Sequence, residues 1–274
     1  MNHIIRDTTV LTMNDRNEIL ERTDVVIENG IIAKIGPKAG ETADNANIID
    51  GSGKLVMPGL INCHCHVPMT LLRNYADDMD LQTWLFDHIF PVEDRLNEDD
   101  VYWGTLLGIM EMLSTGTTCF ADMYYFMDSI ASAVESSGIR AQLSRGQTCN
   151  EPGPDFSGNQ AMKESEEFVR KWNGAADGRI TAAMAPHAIY TCSPSYIQAI
   201  AEKAGKLGVP IHVHLDETVR EHEDSLGTYG KTPAAHLYDL GLFDHKTIAA
   251  HCVCITVEDM ALMKEKGVSV IHCP

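Results

Sequence analysis

Two His-x-His patterns carry the chemistry that this sequence can do. The first ends the run Pro58-Gly59-Leu60-Ile61-Asn62-Cys63-His64-Cys65-His66. Side chains alternate faces along a strand, so His64 and His66 point one way and Cys63 and Cys65 the other. Two imidazoles so placed reach one metal ion without bending the backbone. Neutral imidazole suits zinc, iron and nickel, and the pair does not choose between them. The second pattern lies in Pro210-Ile211-His212-Val213-His214-Leu215-Asp216-Glu217. His212 and His214 share a face and His214 is nearer the strand end, so His214 is read as the third ligand and His212 as a deeper, hydrogen-bonded residue. A metal held by protein ligands with one position open lowers the pKa of its water towards about 7. Glu217, three residues beyond His214, is placed to deliver a proton to the group under attack. His251 ends Ile248-Ala249-Ala250-His251 and either orients the hydroxide, polarises the substrate or supports the metal site from behind.

These residues need strands that end together. Residues 1–56 read as a small β element, half of a β-sandwich. It holds Thr9–Thr12, Asp24–Ile27 and Ile31–Ile35, with Asn29-Gly30 as a hairpin signal between the last two. Residues 57–274 change rhythm. Apolar runs at 58–66, 117–123, 140–145, 180–185, 210–215, 247–253 and 268–272 alternate with amphipathic helical patterns at 99–113, 128–137, 160–172, 195–207 and 257–266. Near-continuous apolar strands separated by helices make a parallel sheet covered by helices. Seven such units predict an α/β protein with a (β/α)8 TIM-type barrel that lacks its eighth strand. His64 and His66, Asp122, Arg145, His187, His214 with Glu217, His251 and His272 then fall at or just past the C-terminal strand ends, where such barrels place active sites. Asp122 is read as a structural hydrogen-bonding group within that mouth.

Composition narrows the class. The 274 residues carry 39 acidic and 21 basic side chains, a formal charge of -18, and no Lys/Arg run, which argues against a nucleic-acid partner. No signal-peptide core and no long apolar stretch is present, so no membrane partner and a cytoplasmic location are expected. Cys63, Cys65, Cys119, Cys252, Cys254 and Cys273 lie in apolar runs without a Cys-x-x-Cys pair and read as reduced, mostly buried small hydrophobes. Most of the twelve histidines sit singly at strand ends or in loops and do not form the tract of a metal store.

The runs 58–66, His212–Thr218 and Ala249–Val253, together with Leu71-Leu72-Arg73, Trp84-Leu85-Phe86, Pro91–Leu96, Gly116-Thr117-Thr118 and Ala185-Pro186-His187, resemble the amidohydrolase superfamily. Within it the chain resembles the 5-methylthioadenosine/S-adenosylhomocysteine deaminases and their chlorohydrolase-like relatives, and the similarity runs through essentially its whole length. The resemblance implies one divalent metal, zinc before iron, on His64, His66 and His214. It implies hydrolytic loss of ammonia from an adenine nucleoside, with Glu217 contacting the ring nitrogen and shuttling a proton while His251 assists. It further implies that Glu93 binds the ribose hydroxyls, that Arg145 and His187 line the nucleoside pocket, and that Trp84 packs on the sugar or thioether end. Without the resemblance, Glu93 reads as a solvated acid at a helix start, Arg145 as an ion-pair partner and Trp84 as core. Two departures stand out. Residues 151–160 contain no base where relatives carry a second arginine, and the sequence ends at His272-Cys273-Pro274, before the aspartate of an eighth strand. The chain is therefore expected to be a fragment with little or no activity alone. The alternatives are a guanine or s-triazine deaminase, a chlorohydrolase, or a non-catalytic remnant that binds ligand. A homo-oligomer is left open.

Overall fold

A computed structural model describes residues 2–42 and 46–273. The chain divides into two compact units, Met1–Leu60 and Ile61–Pro274.

The first unit is a five-stranded sheet. Strand β1 (His3–Leu11) pairs antiparallel with β2 (Ile19–Glu28), and β2 pairs with β3 (Ile31–Gly36). Asn29 and Gly30 carry φ of 52° and 76°, the left-handed pair that a two-residue hairpin needs to match strand twist. Strands β4 (Asn47–Asp50) and β5 (Leu55–Val56) lie parallel to β1 and were not evident from sequence. The full length of β1 was also hidden, because its register shifts between Ile5 and Val10 break the alternating pattern. Ile4, Val26 and Ala39 form its small core.

The second unit is a parallel seven-stranded sheet in chain order: β6 (Leu60–Cys65), β7 (Thr117–Tyr124), β8 (Arg140–Gln147), β9 (Ile180–Pro186), β10 (Ile211–Leu215), β11 (Thr247–His251) and β12 (Ser269–Ile271). The expected barrel architecture is present, seven strands of it among the described residues. Phe120, Leu143, Ile180, Met184, Ile211 and Leu215 are buried where strands meet helices. The helix Gln160–Trp172 shows why: Met162, Ser165, Phe168, Val169 and Trp172 form one buried stripe, and the Asn159 side chain accepts the Met162 N–H at 3.0 Å as its cap. Helices Glu98–Ser114, Met127–Ser137, Pro194–Leu207 and Val257–Lys266 fill the other expected intervals. A cleft of about 490 Å3 separates β6 from β12, lined by Ile61–His64 and Val270–Cys273.

Two helices between β10 and β11, Val219–Tyr229 and Pro233–Asp239, escaped the sequence reading. The first buries only Glu221 and Ser225, so it has no apolar stripe to detect. One expectation needs correcting. Of the six strand cysteines only Cys252 is buried; Cys63, Cys65, Cys119, Cys254 and Cys273 are partly exposed. Cys63 and Cys273 line the cleft between the outer strands.

Candidate active site

His64, His66 and His214 offer ring nitrogens that all lie within 4.8 Å of one another. Adjacent main chain decides which nitrogens face inward. Nδ1 of His66 donates to the Met123 carbonyl at 2.6 Å, and Nδ1 of His214 donates to the His187 carbonyl at 2.8 Å. A carbonyl only accepts, so both rings carry their hydrogen on Nδ1 and turn bare lone pairs inward. The two Nε2 atoms stand 3.2 Å apart. Burial pushes both pKa values down, and neighbouring histidines push His214 down further, so a second proton on either ring is disfavoured. Two facing lone pairs without a proton between them suit a cation. The spacing matches the about 3.3 Å expected between nitrogens on a tetrahedral zinc ion.

The third histidine is held from behind. Nδ1 of His64 meets Nε2 of His212 at 2.9 Å, and Nδ1 of His212 lies 3.5 Å from the Ser144 hydroxyl. His212 is fully buried, as its deeper place on β10 predicts. Such an outer partner fixes the ligand ring and its tautomer. Asp122, also fully buried, accepts the Val67 N–H at 2.7 Å and anchors the chain just after His66.

Glu217 and His251 face each other beside this triad, Oε1 to Nε2 at 3.5 Å. Burial raises the Glu217 carboxyl to about 7 and lowers His251 to about 4, chiefly by burial and then by His66. At neutral pH the pair is thus a half-protonated acid against a neutral imidazole, suited to moving one proton. His251 has φ of 75°, a strained conformation that turns the chain at the end of β11. Its ring centre is 5.1 Å from that of His64 and 5.4 Å from that of His214.

A small pocket opens from His66 towards Trp84, Phe90, Glu93, Tyr125 and His187. His187 is pushed down to about 3 by burial and then by His66 and His251, and its Nδ1 meets the Thr191 hydroxyl at 2.9 Å. Glu93 is only 9% exposed, and burial raises its carboxyl to about 7. It is not a solvated acid. Trp84 lies in a π-wound segment, Thr83–Ile89, that runs directly into the turn Phe90–Glu93 carrying Glu93. Arg145 stands one cavity further out, in a cleft of about 990 Å3 that shares Phe90, Glu93 and Tyr125 with the inner pocket. Its guanidinium donates to Glu164 Oε2 at 2.9 Å and to the Gly146 carbonyl, and lies over the Tyr125 ring.

Sequence reasoning missed Glu221. Its Oε2 accepts the Glu217 N–H at 2.8 Å, it is 2% exposed, and burial raises it to about 8. The pattern Thr218-Val219-Arg220-Glu221 is a capping-box signature that signals such an acid, although here the carboxylate reaches one residue further back than that motif requires. Asp216 and His222, paired at 3.0 Å behind Glu217, were likewise not singled out.

Comparison with known proteins identifies the family. The amidohydrolase family profile matches residues 55–274. The chain belongs to the amidohydrolase family. This amidohydrolase is 46% identical over 273 residues to the 5-methylthioadenosine/S-adenosylhomocysteine deaminase of Desulforamulus reducens, and 48% identical over 272 residues to that of Carboxydothermus hydrogenoformans. Each alignment covers 99% of the chain and 62% of the relative, so the chain spans about three-fifths of their length. Among solved structures, an adenosine deaminase from Xanthomonas campestris with bound zinc superposes with a TM-score of 0.85 at 34% identity, covering 99% of this chain and 62% of that one. The atrazine chlorohydrolase of Arthrobacter aurescens, complexed with zinc, gives 0.88 at 22% identity over 98% of this chain and 65% of that one, a likeness of fold alone.

Proposed function

We propose that this amidohydrolase is built for hydrolytic deamination of an adenine nucleoside of the 5-methylthioadenosine, S-adenosylhomocysteine or adenosine type, giving the inosine analogue and ammonia. The observation that carries the reading is the facing pair of bare Nε2 atoms on His66 and His214 with Glu217 and His251 beside it. The names of the most similar relatives support the substrate class.

His64, His66 and His214 would hold one divalent ion, and zinc is preferred because the compared adenosine deaminase carries it. When bound, such an ion supplies Lewis acidity that activates water. Glu217 holds a transferable proton near neutral pH and delivers it to the ring nitrogen of the adenine. His251 positions that carboxyl and takes part in the proton movement at its Nε2. His187 and Trp84 bound the nucleoside pocket, Glu93 accepts from the ribose hydroxyls, and Arg145 marks the outer end of the ligand.

A nucleoside is favoured over a bare guanine or s-triazine because Glu93 lies buried on the outward wall of the inner pocket, where a ring without a sugar has nothing to offer it. The cytoplasm suits a chain whose eight cysteines are all free thiols.

The test is to supply zinc and 5-methylthioadenosine, S-adenosylhomocysteine, adenosine, guanine and an s-triazine separately, following ammonia release and the adenine-to-hypoxanthine absorbance change. Release, weak in a chain that spans about three-fifths of its relatives' length, is expected from the adenine nucleosides alone. Ammonia from guanine or the triazine but from no nucleoside overturns the assignment. Nucleoside binding without any ammonia assigns a ligand-binding protein instead.

A further inference from the structure

Tyr124 is a buried polar residue that the chemistry above does not use. It ends β7, one position past the carbonyl that fixes His66, and it lines the inner pocket with Glu93 and His187. The side chain is 3% exposed, and its ring centre lies 5.3 Å from that of Tyr125. No main-chain carbonyl accepts from its buried hydroxyl, and no side chain does so at full hydrogen-bond geometry. The acceptor that it faces is the Glu93 carboxylate. Burial raises that carboxyl, and the Tyr124 hydroxyl draws it back down. The phenol is itself raised by burial and then by Glu93, so it keeps its proton and has it to give. A buried donor costs free energy until it is paired, which commits this proton to Glu93.

The two residues come from separate segments, Tyr124 from β7 and Glu93 from the turn Phe90–Glu93. The end of β7 therefore serves both ends of the pocket: the Met123 carbonyl orients His66, and the next side chain meets Glu93. A carboxylate offers about four lone-pair sites, so a bond from Tyr124 leaves the others for a ligand. We propose that Tyr124 is a positioning residue for sugar recognition: its hydroxyl donates to Glu93 and turns that carboxylate to accept from the vicinal ribose hydroxyls, so that Tyr124, acting through Glu93, sets the preference for a riboside over its deoxy analogues. The inference rests on the nucleoside reading above.

The experiment is calorimetric titration of the chain, supplied with zinc, with inosine, 2′-deoxyinosine and 2′,3′-dideoxyinosine. These are nucleosides of the product type and undergo no turnover. The parent is expected to bind inosine about 30-fold tighter than the dideoxy analogue, because two hydroxyls reach a charged acceptor. Tyr124→Phe removes one oxygen and keeps the ring in the core. It is expected to reduce that preference to about threefold by weakening inosine while leaving the dideoxy analogue within about twofold of the parent. Glu93→Gln loses the preference too, and adding Tyr124→Phe to it costs nothing further. Dialysis checks that Tyr124→Phe retains zinc, and so that the neighbouring Met123–His66 contact is intact. An unchanged preference in Tyr124→Phe overturns the inference. So does an equal loss of affinity for all three ligands, which a purely structural role would give. A further loss in the double variant also overturns it, since Tyr124 would then touch the ligand itself. All three outcomes leave the nucleoside reading standing, whereas failure of the parent to bind any of the three overturns that reading.

Discussion

His66 and His214 meet Nε2 to Nε2 at 3.2 Å, while each gives its Nδ1 hydrogen to a main-chain carbonyl. The register of the sheet therefore sets the chemistry of the pair. The carbonyls of Met123 and His187 lie at the ends of β7 and β9, the neighbours that bring donor geometry to β6 and β10. Two lone pairs held this close repel unless a cation lies between them.

The first prediction concerns that cation. Zinc is expected to raise the unfolding midpoint of the chain, by linkage worth about 2.7 kcal/mol at a hundredfold excess over Kd. The double variant His66→Ala/His214→Ala loses both the shift and stoichiometric zinc in dialysis. Retention of one tightly bound zinc by that variant removes the proposed ligand set.

His212 is predicted to act on metal affinity through His64 and not through the metal itself. Replacement by Ala frees the His64 Nδ1, now 2.9 Å from its partner, and is expected to weaken zinc binding about 10- to 100-fold. His212→Gln, which keeps a polar group near that nitrogen, recovers part of the loss. Competition with a chromophoric chelator measures both. Unchanged affinity in His212→Ala shows that the ring orientation has another source.

Glu221 is predicted to show a pH-dependent stability effect. Its carboxyl sits at about 8 in the fold against an ordinary 4.5, so below 4.5 it is protonated folded and unfolded alike. Between about 4.5 and 8 the unfolded chain releases the proton first, and stability from this group falls as pH rises. Urea unfolding of Glu221→Gln at pH 5 and pH 8 should therefore show the variant gaining on the parent at the higher pH. Glu221→Ala leaves the half-buried Glu217 N–H without this partner and should cost about 1–3 kcal/mol. A Gln variant that tracks the parent at both pH values contradicts the burial argument.

Gly104 is predicted to tie the helix Glu98–Ser114 to the chain that follows His66. A Cβ there would stand 2.7 Å from the Pro68 carbonyl oxygen and 3.0 Å from Leu71 Cγ. The first of these is backbone and has little room to yield, while Thr70 already donates to the Gly104 carbonyl at 2.7 Å. Gly104→Ala should destabilise the protein by about 1–3 kcal/mol and weaken zinc binding with it. A thermal melt with and without zinc checks both. Loss of stability with zinc affinity intact would separate the helix contact from the metal site.

How much of this was legible in the chain differs from residue to residue. Runs such as Ile180–Ala185 and Thr247–His251 announce buried parallel strands because alternation and apolar content are properties of neighbouring residues. The same local rule puts His64 with His66 and His212 with His214 on shared faces, and the motif resemblance then named the family. The Asn29-Gly30 turn was readable for the same reason, since its left-handed conformations are intrinsic to those residue types.

Tertiary structure alone decided the rest. No local pattern shows that His66 would find the Met123 carbonyl 57 positions away, which selects the nitrogen left for a metal. Glu93 looks like a solvated acid beside Asp94 and Arg95 until packing from distant segments buries it. Arg145 becomes a partner of Glu164 only because helix Gln160–Trp172 lies across the end of its strand. Glu221 hides in a polar helix whose single functional contact is to the backbone of Glu217. Periodicity records a residue's own chain neighbours, whereas desolvation, tautomer and charge pairing depend on groups that meet only when the sheet is assembled.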